Sequence, residues 1–184
     1  MLDVAVAYNR YKFIGHEFLT WLWFTIESDP AFLRKADETL TSLTIGNRIV
    51  LENTINDASE IVTIKGDDAG LEEGQLSLRK GAVVVEINLS YKTENQDWKF
   101  TLKGENLSFS GLKVPETGPI ETGDDIDGMV LEKIYLYEKA LQLIRRLFYL
   151  FLQLRSTVQW KDDILPKMKK WIQAPADTIS TDEH

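Results

Sequence analysis

Nine consecutive residues, Phe18 to Ile26, read Phe-Leu-Thr-Trp-Leu-Trp-Phe-Thr-Ile, carry no formal charge and include four aromatic side chains. Only a helix buried on most sides, or one half of a large interface, holds that much apolar surface. A membrane span needs roughly 20 predominantly apolar residues. Neither this run nor Leu147–Leu154, nine and eight residues between charges, is long enough. Around the run, Tyr11, Ile14, Phe18, Trp21, Leu22 and Thr25 recur at helical spacing, and Leu19, Trp23 and Ile26 widen the stripe. The spacing predicts a helix that starts near Ala7 to Asn9 and ends near Glu27. Asp29-Pro30 stops it, because the residue before a proline is pushed out of the α region. Gly15 in its interior costs about 1 kcal/mol against alanine, which is tolerated where another backbone packs closely.

After a connector, Pro30 to Leu40, with one short helical turn around Ala31 to Arg34, strand signals begin. Ser42–Ile45 and Arg48–Glu52 flank Gly46-Asn47, a dipeptide suited to a type II′ hairpin. Ser59–Lys65 alternates as a third strand. Asp68–Lys80 carries helix signals at both ends, an N-cap aspartate, early glutamates, late cations and Gly81 beyond, while Gly74 and the alternation Gln75-Leu76-Ser77-Leu78 argue for a strand; the expectation is a helix. Ala82–Tyr91 is the clearest strand, with Val83, Val85, Ile87, Leu89 and Tyr91 on one face. Trp98, Phe100 and Leu102, then Leu107 and Phe109, continue it into a three-stranded meander. The first helix is the obvious cover for its apolar face. Gly128 to about Thr157 is again helical, roughly 45 Å long, with apolar positions that include Leu131, Ile134, Leu141, Ile144, Phe148, Phe151 and Leu152. A shorter helix follows, capped near Asp162, with Pro166 in its first turn and Trp171 near its end.

The expected architecture is therefore α+β: an antiparallel sheet covered by an aromatic-rich N-terminal helix, with a long C-terminal helix. Its parts are an α+β domain (1–114), an acidic Pro/Gly-rich linker (115–127), a C-terminal helical arm (128–173) and a disordered tail (174–184). Without cysteine there is no disulfide framework and no thiolate chemistry, which suits a reducing cytoplasm. The opening MLDVAVAYNR has neither a long apolar run nor a small-residue cleavage site, so it is not read as a signal peptide.

Motifs for chemistry are missing their partners. His16-Glu17 begins like HExxH, but Thr20 stands where the second histidine belongs. Asp124-Asp125-Ile126-Asp127-Gly128 resembles a calcium loop, yet its alignment puts Gly123 and Ile134 at the first and last ligand positions. No P-loop, GxSxG or GxGxxG occurs. The reading is of a protein that is not an enzyme, with no metal, no cofactor and no small-molecule substrate identified. The rings of Phe18, Trp21, Trp23 and Phe24 have no cation between Lys12 and Arg34, so core or protomer interface suits them better than base stacking.

Charge is uneven. The net is −8, yet Leu131–Trp171 holds nine cations against four anions, a net of +5, which leaves −13 on the rest. This basic arm either faces a partner or matches the acidic body. Arg145, Arg146, Lys167, Lys169 and Lys170 are the candidates for phosphate contact, and a solvated helix face is the alternative.

FIGHEFLTWLWF resembles a phrase, Phe-Leu-Gly-x-Glu-Phe-Leu-x-Trp-Leu-Trp, of the RdgC-like recombination-associated family, with Ile14 in place of leucine. RKGAVVVEINLSY, DWKFTLKGENLSFSGLKVP and the closing helix with Phe148–Trp160 follow in the same order. The resemblance covers most of Phe13–Trp171 and corresponds to one part of longer family members. It implies a nucleoid-associated, non-catalytic role in recombination or replication, with DNA bound by an oligomer rather than by a motif. The expectation is a non-enzymatic, cytoplasmic homo-oligomer that contacts DNA through the basic arm. The alternative is a protein–protein interaction module without nucleic acid.

Overall fold

The uncharged run forms the middle of a 25-residue helix, α1 (Val4–Ser28), which starts earlier than the spacing predicts. The structure, a computed structural model, describes residues 4–55, 58–65, 69–117 and 125–174. Phe18, Leu19, Trp21, Leu22 and Trp23 are all at most 1% exposed, so the run is core on nearly every side. Beyond it, Asp29 caps a 3-10 helix, Pro30–Lys35, by accepting from the Phe32 amide.

Gly15 explains how α1 lies so close to the sheet. A Cβ built there would stand 1.7 Å from the carbonyl oxygen of Gly104, so two backbones touch at this crossing. The close approach expected for Gly15 is present.

Five antiparallel strands follow: β1 (Ser42–Ile55), β2 (Ala58–Lys65), β3 (Val83–Lys92), β4 (Asp97–Lys103) and β5 (Phe109–Lys113), in the order β2-β1-β3-β4-β5. A helix, α2 (Ala69–Arg79), joins β2 to β3 and is closed by Gly81 at φ 92°. The meander of β3, β4 and β5 is as expected, but the hairpin at Gly46-Asn47 is not. Ser42–Ile55 is one strand, and the dipeptide lies where its register against β3 shifts between Ile45 and Ile49. A glycine within a strand marks a bulge as readily as a turn. Here the bulge makes room for Asn88, whose Oδ1 would lie 1.9 Å from a Cβ on Gly46.

The β3 pattern also departs from strict alternation. Ile87, Leu89 and Tyr91 face the core as expected, but Val84 is buried while Val83 is exposed. A second register shift, between Val50 and Leu51, moves the start of the strand by one residue and swaps its faces.

The last third begins with α3 (Asp125–Arg155), which starts three residues before Gly128. Most of the expected linker, residues 118–124, and the tail beyond Ala174 lie outside the described residues. A π-helical stretch, Trp160–Ile164, leads into α4 (Leu165–Gln173). Asp162 sits inside the π-helix and is not the cap of α4: Ile164 holds that position, and Pro166 occupies the first turn, where no intrahelical amide is needed.

A single hydrophobic core joins α1, one sheet face, α3 and α4. The chain is α+β. Among the described residues, no helix is long and apolar enough to cross a membrane.

Candidate interaction surface on the C-terminal helices

Helix α3 is gripped along only part of its length. Leu136, Ala140, Leu143, Ile144, Leu147, Phe151 and Leu154 form its buried face. Phe18 packs on it, edge-on to Phe148 at 5.2 Å and tilted against Phe151 at 5.5 Å. The Trp98 indole, stacked on Tyr91 at 4.5 Å, donates to the Leu136 carbonyl at 3.0 Å. Lys139 donates to Gln96 at 3.1 Å and lies over the Trp98 ring. Upstream of Leu136 the helix stands clear: Ile126–Tyr135 are all exposed except Met129, which is partly buried.

That free portion is not polar. Ile126, Val130, Leu131, Ile134, Tyr135, Tyr137 and Leu141 are between 43% and 66% exposed. Leu131, Ile134 and Leu141 thus differ from Ile144 and Phe151, with which the sequence groups them. Val130, Ile134, Tyr137, Leu141, Ile144, Phe148 and Phe151 repeat at alternating spacings of four and three. The last three are buried or partly buried within the chain, and the first four are uncovered.

The five candidate cations divide into two groups on two helices, and no hydrogen bond or ion pair among the described residues links the groups. On α3, Arg145 is exposed, while Arg146 lies 3.8 Å from the buried carboxylate of Asp37. On α4, Lys167 pairs with Asp163 at 2.9 Å, and Lys169 and Lys170 are exposed. Arg155, outside the candidate set, reaches Glu17 of α1 at 2.7 Å. Part of the arm's positive charge is therefore matched within the chain. Arg145, Lys169 and Lys170 have no acidic partner among the described residues.

Asp37 is a residue that the sequence reading passes over. Its Oδ1 accepts from the Thr39 amide and hydroxyl at 2.9 and 2.7 Å, and its Oδ2 faces the Tyr91 hydroxyl at 3.5 Å and Arg146. Asp-x-Thr is a local turn signal; the two partners come from distant elements and leave no trace nearby. Burial, reinforced by the Asp37 charge, pushes the Tyr91 phenol up to about 12. A phenol whose folded pKa is raised stabilises the fold below its unfolded pKa, and that contribution is lost as pH rises through the folded value. Two units are worth about 2.7 kcal/mol. Wild type should therefore lose stability between about pH 10 and 12. In urea titrations Tyr91→Phe should show a shallower fall over that window. Identical slopes would place the phenol elsewhere.

Two of the smaller cavities lie beside residues already named. One, of about 380 Å³, is lined by residues that include Trp21, Phe24, Phe32, Asp29 and Lys167. The other, of about 340 Å³, is lined by Lys12, His16, Glu52, Val85, Glu86, Lys103 and Glu105. Within it Glu86 meets Lys103 and, from outside the lining, Arg48, and Glu52 accepts from the Ser59 hydroxyl. Burial lowers the His16 pKa, which favours a neutral ring. Among the described residues no cluster of His, Asp or Glu is arranged to hold a metal ion. No protein-family model matches the chain, and no curated protein matches it in sequence.

Proposed function

We propose that this chain is a non-enzymatic protein of DNA recombination or replication that works as an oligomer. The observation that carries the assembly half is the uncovered apolar stripe on the first half of α3, which continues a seam already used for packing within the chain. A contiguous exposed apolar patch marks an interaction site far more often than a bare surface does. The DNA half rests on the resemblance of Phe13–Phe24 to the RdgC-like family and on the unmatched cations Arg145, Lys169 and Lys170. Oligomerisation would multiply those few cations, so that an acidic chain could hold DNA as an assembly.

Fluorescence anisotropy with labelled duplex and single-stranded DNA tests this reading. Binding is expected at low salt and should weaken steeply as salt rises. Alanine at Arg145, Arg146, Lys167, Lys169 and Lys170 together should abolish it. Replacing only Arg145, Lys169 and Lys170 should remove most of it, because Arg146 and Lys167 are already paired. No binding at low salt, or binding unchanged in the five-alanine variant, overturns the DNA half. A second reading then stands: a protein–protein interaction module without nucleic acid. The ion pairs Arg146–Asp37, Lys167–Asp163 and Arg155–Glu17, which tie part of the basic arm to acids of the chain itself, favour it.

A further inference from the structure

We infer that the free half of α3 pairs side by side, parallel and in register, with the same helix of a second copy of this chain. The inference rests on the assembly half of the proposed function and specifies its geometry. Alternating spacings of four and three place Val130 and Tyr137 at d positions and Ile134 and Leu141 at a positions of a heptad. Ile144, Phe148 and Phe151 continue the same register as d, a and d, and α1 with the rest of the core already takes them up. The seam available to another helix therefore runs from about Ile126 to Leu141, roughly 24 Å.

The flanking positions decide the orientation. In this register Ile126 and Lys133 are g residues, and Leu131 and Glu138 are e residues. A parallel in-register pair sets each g residue against the e residue five positions later in the partner helix. Lys133 then meets Glu138 of the other copy, twice by symmetry, and Ile126 meets Leu131, also twice. Opposite charges face each other, and two of the exposed apolar residues flanking the seam are covered. Antiparallel pairings set g against g and e against e. One such register opposes Lys133 to Lys133, and the next opposes Glu138 to Leu131, so neither is complementary. Within one helix Lys133 and Glu138 are five residues apart, outside the spacings at which helical neighbours meet. Among the described residues neither has an ion-pair partner.

Charge swaps test the geometry directly, since both positions are exposed and neither holds the fold together. Lys133→Glu alone and Glu138→Lys alone each place like charges at both flanks. Each should weaken self-association by about tenfold in sedimentation equilibrium at low salt. The double variant K133E/E138K should regain wild-type association. So should a one-to-one mixture of the two single variants, in which every Glu faces a Lys. Far-UV circular dichroism and thermal melts of all variants should overlay those of the wild type. A wild-type oligomer that ignores both single swaps, or a mixture that shows no recovery, overturns the parallel pairing and leaves the assembly reading standing. A wild-type monomer at every concentration overturns both.

Discussion

Gly15→Ala should lower the melting temperature by roughly 10 °C, a loss of about 3 kcal/mol or more in a chain of this size. The added methyl would stand 1.7 Å from the Gly104 carbonyl oxygen, and a backbone cannot swing aside as a side-chain end can. The helix must instead lift from the sheet at the crossing that seats Phe18 and Trp21, loosening contacts well beyond the site. The reciprocal change supplies an internal comparison. A Cβ at Gly104 would meet side-chain atoms of His16 and Leu19 at 2.9 and 3.0 Å, which can shift, and the Gly15 carbonyl carbon only at 3.2 Å, so Gly104→Ala should cost less, about 1–2 kcal/mol. A Gly15→Ala melt within a degree or two of wild type, or the reverse order of the two variants, would sink this account of the crossing.

The second large effect concerns the clamp between α1 and α4. The Glu27 carboxylate accepts from the indole of Trp23 on one oxygen and from that of Trp171, at 2.8 Å, on the other. Trp171 also sits edge-on to Trp23 at 5.2 Å and against Phe24 at 5.7 Å. Glu27→Ala leaves two partly buried N–H groups without an acceptor, at about 1–3 kcal/mol each. Urea denaturation should show a total loss of about 2–6 kcal/mol. Glu27→Gln should fall between, because its carbonyl can serve one indole while its amide confronts the other. Burial raises the Glu27 pKa, and the two indole hydrogen bonds only partly oppose this. The folded chain therefore holds that proton more tightly than the unfolded one. Stability from this group is present at low pH and is lost as pH rises through the raised value. Glu27→Gln should remove that component, and an unchanged pH profile would contradict the assignment.

The parts of the fold that can be read from the residues are those where local pattern and tertiary role coincide. Phe18–Ile26 could only be buried, and Ile87, Leu89 and Tyr91 alternate because one sheet face is covered. The misreadings share a cause. Gly46-Asn47 has the same local chemistry in a hairpin as in a bulge, and the strand that decides between them, β3, lies some forty residues on. Val83 and Val84 are equally apolar, so only the register of the neighbouring strand shows which one turns inward. Helix α3 is apolar around much of its circumference between Ile126 and Leu141. Its periodicity announces a helix without saying where the body ends and open surface begins. The candidate cations are visible as a cluster, and Asp163, four residues before Lys167, is within helical reach of it in the sequence; the acid that engages Arg146 is not, since Asp37 is joined to its arginine by the fold alone.

Self-association through the uncovered stripe is the claim on which the proposed function turns, and sedimentation equilibrium of the full chain beside Ile134→Glu measures it most directly. Ile134 is 49% exposed and near the middle of the free seam, so a charge there spares the core and strikes the interface. Wild type should approach twice the chain mass as concentration rises, while Ile134→Glu stays at one chain mass with an unchanged melt. A wild-type chain that remains at one chain mass throughout, or an Ile134→Glu variant that associates as tightly as wild type, would contradict it.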